Sequence, residues 1–377
     1  MEYTKRPLRI ALDTSYAGVN PTGVGLYSRR LASTMRRLAP ASGVSLHCYG
    51  PSCERSQHTL ISTMQEWPLY TQGVLPLLLA SKRADVVHST SHIGPLWGPG
   101  RLVVTVHDLI FRRFPADYDP IWLRITLALL PRVLARATAI IADSHATKED
   151  IRRYYNIRPG KIHVIYPAID RQFRRTSATT QSLTNTRRKY GLGNDSYIIC
   201  VGPWVARKNL SVVVAAFEEV AARSPNVRLV ITGDLPRGMK GTTPEQMVGA
   251  LPPYATERVH AVGFVPKEEL VALVSGATVL AYPSRYEGFG LPPLEAMAAG
   301  VPVVASDTPA VAEVTASAAL LASVDSPREW AAALASVLTN PDRAAQLRAA
   351  GLRRSADFSW ERCAKETIAL YKRVANV

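Results

Sequence analysis

Short runs of β-branched and aliphatic residues recur along this chain, each followed by a longer stretch whose apolar positions fall three and four apart. Residues 9–13 form the first such run and predict a strand, followed by a loop over 17–25 and a helix through Leu38. Residues 44–49, 84–88, 102–106, 139–142 and 162–165 predict further strands. Runs this short, separated by helical segments, fit a mostly parallel sheet covered on both faces.

The pattern breaks at residues 176–186, which hold almost no bulky apolar group and predict a linker, with the crossing between domains in 168–190. A second alternation follows, with strands at 197–201, 227–231, 259–264, 277–281 and 302–305. Helices are expected at 209–224, 267–275, 293–299, 330–338 and 341–356, and Ser359 is positioned to cap a last one. Two successive blocks of this kind predict an α/β protein of two doubly wound, Rossmann-like domains facing each other across a cleft. Ligands of such folds sit at the carboxyl ends of strands. The expected domains are 1–175 and 190–359.

Charge and cysteine usage narrow the class. The net charge of +15 is uneven: residues 1–176 hold 24 Lys+Arg against 12 Asp+Glu, and residues 177–377 hold 21 against 18. A basic first half attracts phosphates or an anionic lipid surface, and plain solubility charge fits it too. Nucleic acid is not expected as a partner, because aromatics are 7% and are not interleaved with the basic residues as a stacking platform requires. Cys48, Cys53, Cys200 and Cys363 form no CxxC pair and no zinc-ligand spacing, which points to a reducing compartment. No signal peptide is read at the start, and the greasy stretch 121–142 is broken by Arg124, Arg132 and Arg136, so a cytoplasmic location is expected.

Four constellations carry candidate chemistry. In residues 284–306, Glu287 and Glu295 flank a glycine-containing loop, Gly288-Phe289-Gly290-Leu291, that opens a helix. An ionised carboxylate accepts two hydrogen bonds and suits sugar or ribose hydroxyls, while the helix start suits an anion. A solvated loop with a glutamate favouring the helix dipole fits equally well. Arg207 and Lys208 lie at a strand-to-helix turn, a planar fork beside a point charge, which matches a diphosphate or an ordinary charged surface. His107 follows a strand directly, with Asp108 beside it, where it can bond a hydroxyl or serve structure. Thr22-Gly23-Val24-Gly25 is a glycine turn, too short for a dinucleotide fingerprint. Asp117-Tyr118-Asp119 has a metal-binding form but lies away from any strand end, and no metal is expected there.

Together these segments resemble the retaining family-4 glycosyltransferases of the GT-B fold, especially bacterial mannosyltransferase-like members, over nearly the whole chain. The resemblance implies that Arg207 and Lys208 grip the diphosphate of a nucleotide-sugar donor, and that Glu295 holds its ribose. Glu287 with Gly288, Phe289, Gly290 and Leu291 would hold the donor sugar, His107 a sugar hydroxyl, and Gly23 would allow approach to the phosphates. It implies a donor domain in the second half and an acceptor domain in the first, onto which helix 360–377 crosses back. It also implies metal independence and no cofactor. GDP-mannose is favoured as donor, a UDP-hexose next. Gly202-Pro203-Trp204 departs from the family pattern, where many relatives carry an arginine or a small residue beside the glycine, and 233–254 is unassigned.

The expected reaction is transfer of a hexose to a hydroxyl of a glycan acceptor, with a polyprenyl-diphosphate-linked intermediate of cell-surface polysaccharide synthesis favoured. The basic first half, Trp67, Tyr70 and the apolar run 74–80 motivate peripheral contact with an anionic membrane. Transfer to a soluble small molecule is the alternative, and a sugar-nucleotide epimerase or a phosphorylase of the same architecture is a further one.

Overall fold

The structure is a computed structural model describing residues 6–19, 23–50, 69–174, 179–235, 239 and 241–376. Thr22, Cys53 and Trp67, together with parts of the tracts 176–186 and 233–254, lie outside the described residues. The chain forms two compact units. One is built from described residues of Met1–Leu109, Pro120–Ala168 and Phe358–Val377, the other from those of Ile110–Asp119 and Ile169–Asp357.

The first unit is a parallel sheet of β1 (Leu8–Asp13), β2 (Val44–Tyr49), β3 (Val86–Ser89), β4 (Arg101–Val106), β5 (Ala139–Ala142) and β6 (Ile162–Val164), in the order β2-β1-β3-β4-β5-β6. Leu12 pairs with Cys48 on one side and with His88 on the other, so the winding reverses beside β1. β3 and β5 are buried throughout, as expected for strands covered on both faces. Helix Gly23–Leu38 buries Tyr27, Leu31 and Met35, a stripe of period four, in a core shared with Ile10, Leu12, Val103 and Ile141. The last helix, Trp360–Ala375, is capped by Ser359, whose side chain accepts from the backbone N–H of Arg362, and adds Ile368, Leu370 and Tyr371 to that core.

The second unit holds β7 (Ser196–Cys200), β8 (Val227–Thr232), β9 (Val259–Gly263), β10 (Val279–Tyr282), β11 (Val303–Ser306) and β12 (Leu320–Ala322), all parallel, in the order β12-β11-β10-β7-β8-β9. This is the strand order of a nucleotide-binding doubly wound sheet, with its switch point between β7 and β10. Helix Leu210–Arg223 and helix Pro327–Thr339 pack Val213, Phe217, Trp330 and Leu334 against the sheet.

One reading of the polar tract is corrected: Thr180–Lys189 is a helix, not a linker. Thr179 caps it, Arg187, Arg188 and Lys189 sit in its last turn where the dipole favours cations, and Thr186 is buried. Arg187 lies 5.3 Å from the Tyr197 ring centroid, and Lys189 meets Glu269 at 2.7 Å. The tract looked like a loop because this surface helix buries so little apolar side chain. Part of the unassigned 233–254 stretch is also helical: Pro244–Val248 starts with a full capping box between Thr243 and Gln246.

Candidate functional site

At the switch point of the second unit, β7 ends at Cys200 and runs through Gly202, whose φ is +137°. A Cβ there would stand 3.2 Å from Cε of Lys208, so the bare glycine gives the lysine its path along the strand end. Gly233, after β8, crosses just beneath: its Cβ would fall 2.1 Å from the carbonyl oxygen of Gly202. Arg207 and Lys208 occupy the short 3₁₀ turn Ala206–Lys208, and Asn209, left-handed at φ 53°, turns the chain into helix Leu210–Arg223 and ties its Nδ2 to Val324 O at 2.7 Å.

This turn brings both cations onto one carboxylate. Lys208 Nζ donates to Glu287 Oε1 at 2.7 Å, Arg207 Nη1 to the same oxygen at 3.1 Å, and Ser284 Oγ also donates to it. Lys208 Nζ reaches Tyr282 Oη at 2.8 Å and lies 4.7 Å from that ring's centroid. Burial alone would raise Glu287, but the charges of Lys208 and Arg207 and the hydrogen bonds from Lys208 and Ser284 outweigh it and hold the carboxyl down to about 2. The site is thus ionised, partly buried and charge-dense.

Past Glu287 the loop Gly288-Phe289-Gly290 is buried, and Gly290 at φ +118° caps helix Leu291–Ala298, whose first turn carries Pro292 and Pro293. Glu295 lies in that helix and is not joined to the Arg207–Lys208–Glu287 cluster. Its side chain makes no hydrogen bond or ion pair among the described residues, while its backbone carbonyl accepts from Ala299 N–H. Burial raises its carboxyl to about 7, against the pull of Lys267 and with the push of Asp170, and these two are themselves an ion pair at 2.5 Å. An open carboxylate on a glycine-capped helix can take two hydroxyls of a ligand.

The first unit gathers a different set at its strand ends. Thr90, after β3, donates its hydroxyl to Asp13 O at 2.8 Å. His107, after β4, places Nε2 2.9 Å from Thr90 O and Nδ1 2.7 Å from Asp143 Oδ2, after β5. Both ring nitrogens of His107 are therefore engaged within this unit. Gly23 starts helix Gly23–Leu38 there, and Tyr27 one turn on meets the His107 ring edge-on at 4.7 Å between centroids. Asp117 and Asp119 belong to the second unit, and no group of three or more metal-ligating side chains occurs among the described residues.

Sequence reasoning missed Tyr282, Ser284, Thr90, Asp143 and Arg113. Arg113 stands 4.8 Å over the Tyr286 ring, one residue before Glu287, and nothing in its local sequence pointed there. Asp143 did carry a signal, since it follows a buried strand directly, as His107 does.

Two doubly wound parallel sheets, one with a lysine, an arginine and a glutamate bound together at its switch point, define the class as an α/β protein of two Rossmann-like units. Residues 22–173 match the family described as Glycosyltransferase Family 4, and residues 183–354 match Glycosyl transferases group 1. An O-antigen chain mannosyltransferase B of Escherichia coli is 30% identical over 278 residues, covering 72% of this chain and 70% of that one. A D-inositol 3-phosphate glycosyltransferase of a Nocardioides species is 28% identical over 255 residues, covering 64% of this chain but only 55% of that one. A glycosyltransferase structure from Rickettsia africae superposes with a TM-score of 0.72 at 15% identity, covering 98% of this chain and 99% of that one. The chain belongs to the family-4 glycosyltransferases of the GT-B fold.

Proposed function

We propose that this glycosyltransferase moves a hexose, mannose first, from a nucleotide-diphosphate donor to a glycan hydroxyl with retention of configuration and without a metal. The observation that carries the reading is the convergence of Arg207 and Lys208 on one partly buried carboxylate at the switch point. Fixed cations at that place offset the charge that grows on the β-phosphate as the nucleoside diphosphate leaves. Their grip on Glu287 keeps them oriented before the donor arrives. In this reading Glu295 takes the ribose hydroxyls, the Gly288–Leu291 backbone and Glu287 take the donor sugar, and Gly23 borders the phosphates. His107 reaches a sugar hydroxyl, which must share or displace Thr90 O at Nε2. No cofactor is invoked.

GDP-mannose is the favoured donor, a UDP-hexose the next. The E. coli relative's name supports a polysaccharide acceptor, here proposed as a polyprenyl-diphosphate-linked glycan. Peripheral contact with the cytoplasmic leaflet is supported by exposed Val74, Leu77, Leu78 and Trp97, with Trp97 tied to Gln72 O at 2.7 Å. No helix among the described residues is long and apolar enough to cross a membrane. The Nocardioides relative favours a second reading, transfer to a soluble phosphorylated small molecule.

The test is a thermal-shift panel of GDP, UDP and ADP, followed by product analysis with GDP-mannose on lipid-linked and soluble acceptors. A nucleotide at about 100 times its dissociation constant stabilises by about 2.7 kcal/mol. A flat response to all three nucleotides overturns the proposal.

A further inference from the structure

The strand ends of the first unit hold His88, which is buried, and His92 and His107, which are partly buried, in contrasting surroundings. His88 has two hydroxyl partners, Tyr371 Oη at 2.5 Å and Thr105 Oγ1 at 2.8 Å, groups that can donate or accept. It satisfies both ring nitrogens while neutral. His107 has only acceptors: the Thr90 carbonyl at Nε2 and the Asp143 carboxylate at Nδ1. A carbonyl oxygen cannot donate, so Nε2 carries a proton. A proton between Nδ1 and Asp143 belongs on the imidazole, which is the stronger base by more than two pH units in ordinary side chains. Counted this way, His107 holds both ring protons and is a cation.

We propose that Asp143 is a positioning residue that locks His107 as an imidazolium, so that His107 meets substrate as a fixed N–H donor and positive charge and not as a base. This rests on the reading of His107 as a substrate-facing residue of a glycosyltransferase. The groups around the ring agree. Burial would lower His107, but the Asp143 charge, its hydrogen bond, Thr90 O and the neighbouring Asp108 together raise it. Burial, with the His107 charge adding to it, pushes His88 down to about 3 and His92 to about 4, leaving both neutral. Tyr27 from helix Gly23–Leu38 lies against the ring, and Cys363 of the last helix, its thiol raised chiefly by burial and further by Asp143, stays uncharged. One cation thus stands with the Asp143 carboxylate and the flanking Asp108 among neutral groups. The second oxygen of Asp143 is buried without a hydrogen bond, so the negative charge is directed at His107. A neutral-base role would require Nε2 to be an acceptor, and Thr90 O forbids that.

The experiment uses the full chain and two variants, Asp143→Asn and Asp143→Glu. NMR titration of the His107 ring is expected to give an apparent pKa above the ordinary histidine value in the parent and below it in Asp143→Asn, with partial recovery in Asp143→Glu. With GDP-mannose as donor, the alkaline limb of the kcat/KM profile is expected to move to lower pH in Asp143→Asn. At pH 8 kcat falls about a hundredfold or more, in the range typical of a lost proton-bearing group, while the GDP dissociation constant is unchanged. An unmoved His107 titration, or an unmoved alkaline limb, overturns the proposal. The ring titration is read without turnover, so absence of any transferase activity would count against the enzyme reading and leave the Asp143 result to stand or fall by itself.

Discussion

At the residue scale the second unit separates two carboxylates that the sequence presents as a pair. Glu287 is held ionised at about 2 by the two cations, whereas Glu295 rises to about 7 for want of them. Glu287→Gln removes the counter-charge from Lys208 and Arg207. GDP affinity is expected to increase by about fivefold, since one screened charge at this range is worth about 1 kcal/mol, while transfer falls because the cations lose their orientation. Calorimetry beside a rate measurement checks both, and weaker GDP binding would contradict the assignment. Lys208→Ala acts the other way, lowering kcat by about two to three decades if the lysine stabilises the leaving diphosphate. Glu295 gives a pH dependence. Its folded pKa lies above the ordinary carboxylate value, so it accepts ribose hydroxyls best above about pH 7, and nucleotide affinity is expected to rise between pH 6 and 8. The same shift lowers stability over the interval from the unfolded carboxyl's pKa up to about 7, because the folded state there binds more protons than the unfolded one. Glu295→Gln is expected to flatten both trends, measured as GDP affinity and melting temperature across that pH range.

At the element scale, a backbone crossing underlies the side-chain cluster of the site. Gly233 follows β8 at φ +98°, and a Cβ there would fall 2.1 Å from Gly202 O, a backbone atom that cannot step aside. Gly233→Ala is expected to destabilise the second unit by about 3 kcal/mol or more, combining left-handed strain with overpacking, and to weaken nucleotide binding by shifting the β7 end. A urea titration with and without GDP measures both, and a neutral substitution would refute the crossing. The sequence made the strands legible, because buried parallel strands are short uniform apolar runs such as 139–142 and 279–282. The helix Thr180–Lys189 was not legible, since its stabilisation comes from a threonine cap, terminal cations and long-range partners such as Glu269 and Tyr197. Within the site, Arg207, Lys208 and Glu287 stood out as charges at strand-to-helix turns. Tyr282 and Ser284, which complete their cluster, read as ordinary strand-end residues: the contact of Tyr282 to Lys208 spans seventy-four positions, and Ser284 meets Glu287 through a loop whose shape no local pattern shows. The engaged state of both His107 nitrogens depends on Thr90 and Asp143, which no local pattern links to it.

At the scale of the whole molecule, the chain returns to its first unit after completing its second. Helix Trp360–Ala375 supplies Cys363, Ala364, Ile368, Leu370, Tyr371 and Val374 to the core that holds β1, β3 and β4. Each large side chain there contributes about 1.5–3 kcal/mol on burial, against a net stability for a domain of about 5–15 kcal/mol. Tyr371 also satisfies His88, and its loss leaves a fully buried imidazole nitrogen unbonded. The first unit therefore depends on the last twenty residues, although its sheet is finished two hundred positions earlier. The core cluster of the second unit that holds Phe217 and Trp330 is drawn from residues 198–347. A chain ended at Asp357 is expected to lose protection from hydrogen exchange in β1, β3 and β4 and keep it in β7, β8 and β10. It should still show a GDP-dependent thermal shift, because Arg207, Lys208 and Glu295 all belong to the surviving unit. Persistent protection of β1 and β3 in the shortened chain would mean that the last helix only decorates a core that is already complete.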